Sequence, residues 1–176
     1  LKKSHEGIFN KKKNYNLQSN FYYKEIISKK FKEINFLNIK NENLKFIKYF
    51  PVFIIGLPRS GSTLVETILS ENKNIKSLGE NSIINMGVLN QISNKIFNSN
   101  FDKNNFELSI DCFELELFVF EKFSNLFKLN EYQGFIDKTL ENFFNIDIIL
   151  NIFPNAKFLH CSRNSSDAVF AIFQSL

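Results

Sequence analysis

The chain has 176 residues, of which 44% are hydrophobic and 23% are charged. This composition excludes an intrinsically disordered chain, and its 6 glycines and 3 prolines exclude the collagen-like and low-complexity classes. The 22 basic and 18 acidic residues give a net charge of +4, which is too small and too scattered to indicate a nucleic-acid-binding face.

The first part of the chain, residues 1–48, is predicted to be a helical lead-in. Apolar residues recur at helical spacing between Phe21 and Phe31, with lysines among them, and the helical pattern extends to about Asn41. A short apolar segment, 44–50, follows and ends at a proline.

The second part, residues 49–176, alternates between strand and helix patterns. The predicted strands are Val52–Ile55, Phe135–Ile136 and Lys157–Cys161, and the predicted helices cover residues 63–72, 83–97, 106–129, 142–153 and a last segment from Ser166. On the first of these helices, Leu64, Ile68 and Leu69 are expected to share one face. The 22 phenylalanines, with no tryptophan, predict a core of Phe rings. The alternation predicts an α/β fold with a P-loop-type parallel sheet and helices on both faces, preceded by the helical N-terminal segment.

A glycine-rich loop joins the strongest predicted strand to the helix after it. Its sequence is Gly56-Leu57-Pro58-Arg59-Ser60-Gly61-Ser62-Thr63, and its two glycines let successive backbone N–H groups converge on an anion. The helix that follows adds free N–H groups and the positive end of its dipole. The glycine spacing is that of a P-loop, but Ser62 stands where the lysine is expected, and the cation is Arg59. We therefore predict a site for one tetrahedral dianion and no metal; the alternative is a tight turn with incidental glycines.

Two segments of the chain resemble a known family. The segment from Pro51 to Leu64 resembles the 5′-phosphosulfate-binding loop of the sulfotransferases, most of all the tyrosylprotein sulfotransferases and their bacterial relatives fused to tetratricopeptide repeats. The segment from Phe153 to Asn164 resembles the part of this family that leads through the 3′-phosphate site. The resemblance covers residues 51–176. It implies metal-free transfer of a sulfuryl group from 3′-phosphoadenosine 5′-phosphosulfate (PAPS) to an acceptor hydroxyl or amine. For residues 1–48 the end of a tetratricopeptide array and a plain lead-in helix both stay open.

The resemblance also implies which residues bind PAPS. The residues expected to hold the 5′-phosphosulfate are Arg59, Ser60, Gly61, Ser62, Thr63 and Leu64. Arg163 lies just after a predicted strand, where parallel sheets bind ligands, and its guanidinium suits the 3′-phosphate; the alternative is a surface arginine paired with Asp167. The family has a further serine at the position of Ala171, so this contact is missing here or is supplied by Ser166 or Ser175.

Sulfuryl transfer needs a base near the acceptor and cations near the transferring group. Glu80 is the candidate base, and the resemblance implies that the family's catalytic glutamate lies in this Gly-Glu segment. Lys138 matches the family's Asp-Lys segment and would stabilise the sulfuryl group together with Arg59. The alternatives are an ordinary acid near a helix N-terminus for Glu80 and an ordinary loop lysine for Lys138. His160 lies in an apolar predicted strand, so we expect a core or supporting histidine rather than a base.

Two other functions stay open alongside a PAPS-dependent sulfotransferase. A small-molecule P-loop kinase is disfavoured by the missing lysine, and a non-catalytic or decayed nucleotide-binding relative is supported by Ala171. The acceptor is not identified by the sequence: protein tyrosine, a sugar, a lipid and a small phenol all remain. We expect no nucleic-acid partner and no membrane segment, since no stretch has the roughly 20 apolar residues of a membrane helix.

The cysteines and the two ends complete the sequence picture. Cys112 and Cys161 are too few for a disulfide framework and have no metal-ligand neighbours at zinc spacing, so we expect reduced thiols and a cytoplasmic location. The chain begins at Leu1 rather than Met, and an apolar run, 168–176, continues to its last residue. These features predict a fragment.

Overall fold

The computed structural model describes residues 34–37, 45–46, 48–97 and 108–174. The strands are β1 (Ile34–Leu37), β2 (Phe50–Gly56), β3 (Ile75–Ser77), β4 (Leu108–Asp111), β5 (Gly134–Asp137) and β6 (Lys157–Cys161). The α-helices are α1 (Ser62–Ser70), α2 (Ile83–Phe97), α3 (Cys112–Phe127), α4 (Ile146–Ile152) and α5 (Ser165–Gln174), and 3₁₀ helices cover Leu129–Glu131 and Leu140–Asn145. The chain divides into two compact units, and the larger, Phe36–Phe101 with Ile110–Leu176, contains the site described below.

A parallel sheet with the strand order β3-β5-β2-β6 forms the centre of the larger unit. β2 lies inside this sheet, where Val52 is in register with Ile136 of β5 and Ile54 with Leu159 of β6. All residues of β2 from Pro51 to Ile55 are buried, as expected for a strand covered on both faces. The predicted α/β fold, with a parallel sheet flanked by helices, is confirmed. β1 and β4 form a separate two-stranded sheet.

The two faces of the parallel sheet are packed by different kinds of side chain. On one face, phenylalanine rings contact each other with centroids between 4.2 and 6.5 Å apart; they are Phe46, Phe53, Phe123, Phe135 and Phe153. On the other face, Val52, Ile54 and Ile136 pack against Val65 and Leu69 of α1. Successive side chains of a strand point to opposite faces. Phe53 therefore belongs to the phenylalanine face, and its neighbours Val52 and Ile54 belong to the other. The expected core of Phe rings is confirmed on one face.

One buried acid ties the segment before β2 to α3. The Glu116 carboxylate is buried and accepts a hydrogen bond from the backbone N–H of Lys45, next to the core residue Phe46. Burial raises the pKa of Glu116, although hydrogen bonds from the N–H groups of Lys45 and Phe46 act in the opposite direction. This contact fixes where the chain enters β2.

The predicted core face of α1 is wrong in part. Leu69 does pack on the sheet, but Leu64 and Ile68 are exposed by 66% and 62%, and Val65 takes the inner position instead. The loop sets this phase: Ser62 is buried at the first helical position, so residues three, four and seven positions later share its face.

Four further differences concern short elements. Residues 108–111 form a strand rather than the start of the predicted 106–129 helix, because the Asp111 side chain accepts from the Glu114 N–H at 3.0 Å and caps α3 there. The predicted 142–153 helix is a 3₁₀ helix followed by α4. The strand β3 was not predicted. His160 is exposed rather than buried, because β6 lies at one end of the described parallel strands.

Most of the predicted lead-in, residues 1–48, lies outside the described residues. Within the predicted helix to about Asn41, the structure describes Ile34–Leu37, which form β1 and not a helix. Their burial alternates along the strand, and pairing with β4 explains why an extended conformation prevails over the local helical pattern. The domain boundary between residues 48 and 49 stays a prediction. Across the described part of the chain, no helix is long and apolar enough to cross a membrane.

The two loop glycines predict unequal costs of substitution. A Cβ on Gly56 would overlap the carbonyl oxygen of Cys161 in β6, and its φ of 142° already strains an L-residue. Gly61 has a φ of 93° but no described atom within 4 Å of such a Cβ. We expect Gly56→Ala to lower the free energy of unfolding by about 3 kcal/mol or more, and Gly61→Ala by about 1–2 kcal/mol. Urea denaturation measures both, and equal losses would contradict the close β2–β6 contact.

Candidate active site

The loop between β2 and α1 is curled by three residues with positive φ, namely Gly56, Arg59 and Gly61. Gly61 is the N-cap of α1 and offers no side chain to cap the helix. Its carbonyl accepts the N–H groups of Leu64 and Val65 at 3.0 and 3.2 Å. The N–H groups at the start of the helix have no carbonyl one turn earlier, so they are available to an anion.

The hydroxyls of this loop match the same kind of ligand. The Ser60 Oγ atom is buried and finds no hydrogen-bond partner in the described part of the chain. Ser62 is also buried, at the first position of α1. A buried hydroxyl without a partner is costly unless a ligand or water completes it. The residues present therefore fit a phosphate- or sulfate-like group.

Leu64 stands apart from the other predicted loop residues. Its N–H already donates to the Gly61 carbonyl, and its side chain points into solvent. It has no group free for an anion in this structure, so its place among the donor-binding residues stays a prediction.

The structure brings Arg163 to the same loop. Arg163 follows β6, and its Nη1 atom donates to the backbone carbonyl of Arg59 at 3.3 Å. Both side chains are exposed, so their guanidinium groups can approach a ligand from solvent. The Arg163 side chain thus reaches the backbone of the loop that contains Arg59, although the two residues are 104 positions apart.

Lys138 is the centre of the charged part of the site. Its Nζ atom lies 2.9 Å from Glu80 Oε1 and 3.4 Å from both Glu66 Oε2 and Thr63 Oγ1. The side chains of Lys138, Glu66 and Glu80 are exposed by 10%, 15% and 61%. Three elements therefore converge on one ammonium group: α1, the loop after β3 and the end of β5.

The ammonium of Lys138 is held in its charged form. Burial by itself lowers the pKa of Lys138, but the hydrogen bond to Glu80 and the charges of Glu66 and Glu80 outweigh it, so the pKa is raised. The Lys138 ammonium thus has two carboxylate partners, Glu66 and Glu80. The more exposed carboxylate, Glu80, is the one that solvent or a ligand can reach.

Backbone hydrogen bonds explain why Glu80 and Lys138 meet. The N–H of Lys138 donates to the carbonyl of Gly79 at 3.0 Å, and the N–H groups of Asn81 and Ser82 donate to Thr139 Oγ1 at 3.1 and 3.2 Å. The residues on either side of Glu80 are therefore hydrogen-bonded to Lys138 and to Thr139, and this holds Glu80 beside Lys138.

Asp137 completes this connection from inside the protein. Its buried carboxylate accepts from Asn81 Nδ2 at 3.0 Å and from the N–H of Thr139 at 2.8 Å. Burial raises the pKa of Asp137, and these hydrogen bonds act against that rise. The Asn81 Oδ1 atom also accepts from the Ile83 N–H at the start of α2. The Glu80 segment is therefore held on both sides.

Sequence reasoning missed Glu66, Asn81 and Thr139. Glu66 lies four positions after Ser62 and therefore on the same face of α1. An acid at that spacing would have been the signal once the buried position of Ser62 was known. Asn81 and Thr139 act through contacts between segments distant in sequence, which leave no local pattern. Over the described residues, no cluster of three or more histidine, cysteine or acidic side chains could hold a metal ion.

The role of Thr139 predicts a difference between two substitutions. Thr139→Val removes the acceptor of two N–H groups, whereas Thr139→Ser keeps it. We expect the amide hydrogens of Asn81 and Ser82 to exchange faster in Thr139→Val, with a further loss of about 1–3 kcal/mol in unfolding free energy relative to Thr139→Ser. Hydrogen exchange followed by NMR tests this, and equal protection in the two variants would contradict it.

Comparison with known proteins identifies the family. The family model described as "Sulfotransferase family" matches residues 51–176. An uncharacterised protein of Aquifex aeolicus (strain VF5) is 28% identical over 130 residues, which cover 70% of this chain and 17% of that protein. The chain thus spans well under two thirds of the relative that it matches. The match over 51–176 includes the loop, the Glu80–Lys138 pair and Arg163, and the chain belongs to the sulfotransferase family.

Proposed function

We propose that the protein containing this chain is a PAPS-dependent sulfotransferase that transfers the sulfuryl group directly to an acceptor hydroxyl. The observation that carries the proposal is the position of Lys138 Nζ, 2.9 Å from Glu80 and 3.4 Å from Thr63 Oγ1. Lys138 follows β5 and reaches the first turn of α1. The loop before α1 lacks the lysine that nucleotide triphosphatases have there. Residues 49–176 form the catalytic domain in this proposal, and residues 1–48 lead into it.

The loop residues hold the 5′-phosphosulfate in this proposal. The Ser60 hydroxyl supplies the unused buried donor, and the start of α1 supplies N–H groups of Ser62 and Thr63. Arg59 and Arg163 supply two exposed guanidinium groups, of which Arg163 is assigned to the 3′-phosphate. Such charge-assisted hydrogen bonds stabilise a bound anion by roughly 1.5–3 kcal/mol each.

The acid–base chemistry falls to Glu80 and Lys138. In the reaction the acceptor oxygen bonds to sulfur, while the bond from sulfur to the 5′-phosphate oxygen breaks with its electron pair staying on that oxygen. The exposed Glu80 carboxylate takes the acceptor's proton. The Lys138 ammonium and the Arg59 guanidinium offset the charge on the sulfuryl and leaving oxygens.

Protein tyrosine is the acceptor that we propose to test first. Its support is the resemblance of residues 51–64 to the tyrosylprotein sulfotransferases. A phenolic hydroxyl is more acidic than an alcohol, so a carboxylate base such as Glu80 suits it.

Calorimetric titration with 3′-phosphoadenosine 5′-phosphate, with ATP plus magnesium in parallel, tests the donor assignment on the full-length protein. We expect micromolar binding of the first ligand alone, because the loop lacks the lysine that serves the outer phosphates of ATP. Arg59→Ala should abolish this binding, and Lys73→Ala, which removes an exposed cation after the far end of α1, should leave it unchanged. Preference for ATP with magnesium would indicate a kinase, and binding of neither ligand would indicate a decayed site; either result overturns the proposal.

Turnover measurements test the two catalytic assignments. We expect Glu80→Ala and Lys138→Ala each to lower kcat by about 100- to 1,000-fold while desulfated donor still binds, because each removes a group used in the transition state. Glu121→Ala, which removes an exposed acid of α3, serves as the control. Transfer of radiolabelled sulfate to a tyrosine peptide and to phenol provides the assay. A Glu80→Ala enzyme with the full rate would exclude Glu80 as the base.

A further inference from the structure

Glu66 is a charged residue of the site that the proposed reaction leaves without a role. It lies in α1, and its side chain, which is 15% exposed, faces the Lys138 ammonium. One carboxylate oxygen accepts a hydrogen bond from the Ser77 hydroxyl at the end of β3, and the other lies 3.4 Å from Lys138 Nζ. Both oxygens of this nearly buried carboxylate are therefore in use.

The two carboxylates around the Lys138 ammonium differ in how firmly other residues hold them. The ammonium group has three N–H donors and three acceptors around it: Glu80, Glu66 and Thr63. Of the two carboxylates that contact Lys138, Glu80 is the more exposed. Glu66 is held in place by the hydrogen bond from Ser77. If Glu80 accepts the proton of the acceptor, it becomes neutral and no longer compensates the Lys138 charge. A nearly buried ammonium without a counter-charge is unfavourable, so a second carboxylate is needed at that moment.

We propose that Glu66 is a positioning residue that keeps the Lys138 ammonium charged and beside Thr63 while Glu80 exchanges its contact for the acceptor. This inference rests on the proposed sulfotransferase function. The two carboxylates then have different roles: Glu80 leaves Lys138 to take the acceptor's proton, and Glu66, held by Ser77, keeps its contact with Lys138.

The electrostatics of Lys138 support this division. The charge of Glu66 and its hydrogen bond are among the causes that raise the pKa of Lys138, next to those from Glu80. These two carboxylates are the charged groups within ion-pair distance of Nζ among the described residues. Removing the Glu66 charge therefore lowers the pKa of Lys138, and Lys138 loses its proton at a lower pH than in the unaltered protein.

Three variants of the full-length protein distinguish the effect of the Glu66 charge, the effect of the Glu66 contacts and the effect of losing an acid at the end of α1. Glu66→Gln keeps the shape and can still accept from Lys138 and donate to Ser77, but it has no charge. Glu66→Ala removes both contacts. Glu71→Gln removes an exposed acid at the end of the same helix and is the matched control.

We expect kcat to fall by about 10-fold or more in Glu66→Ala and by less in Glu66→Gln, with the KM for PAPS changed by no more than about 2-fold. In both Glu66 variants the alkaline limb of the pH–rate profile should move to lower pH, and in Glu71→Gln it should not. A merely structural role would lower the melting temperature without moving this limb. An unchanged kcat and limb in Glu66→Ala would overturn the proposal.

A second readout does not depend on sulfate transfer. NMR of reductively ¹³C-methylated lysines gives the titration midpoint of Lys138, identified by its absence in Lys138→Arg. We expect a lower midpoint in Glu66→Gln than in the unaltered protein and in Glu71→Gln. An equal midpoint would overturn the role of Glu66 even in an active enzyme. A lowered midpoint in a protein that transfers no sulfate would instead refute the proposed function while leaving the Glu66–Lys138 coupling intact.

Discussion

The parallel pairing of β2 with β5 and β6 is the constraint on which the site depends. Parallel strands place their carboxyl ends at one edge of a sheet. The glycine loop after β2, the Asp137–Thr139 segment at the end of β5 and Arg163 after β6 are gathered at that edge. Thr63 and Lys138, which lie 75 positions apart, come within 3.4 Å there. The absence of a side chain on Gly56 lets β2 and β6 approach closely enough for this arrangement.

The charged residues of this site are arranged differently from those of an ordinary P-loop. The loop itself has Ser62 where a nucleotide triphosphatase has its lysine, and Lys138, which follows β5, lies 3.4 Å from Thr63 at the start of α1. A lysine supplied from β5 can be neutralised by acids of two other elements, Glu66 and Glu80. A lysine within the loop would lack this second set of partners.

The sequence allowed much of the fold and of the site to be predicted, and the failures have physical causes. The buried run Val52–Ile55 and the strand Lys157–Cys161 were recognised because both are apolar and bounded by proline, glycine or polar residues. The strand β3 was missed because it has three residues, of which only Ile75 is apolar, and so shows no pattern. The strands β1 and β4 were missed because short stretches with apolar residues fit helix and strand patterns equally well. Their pairing partners decide between the two. His160 was misplaced because the sequence does not show that β6 is the last of the described parallel strands, where side chains such as His160 and Leu159 are less covered.

By itself the sequence determined the alternation of strands and helices, the glycine loop and the chemical identity of the residues at the site, because these are properties of local patterns. The tertiary structure alone decided the phase of α1, which turns Glu66 inward and leaves Leu64 in solvent. It also decided that Asn81, Asp137 and Thr139 hold Glu80 next to Lys138. These outcomes depend on hydrogen bonds and packing between segments more than 50 residues apart, and such contacts leave no periodicity for the sequence to display.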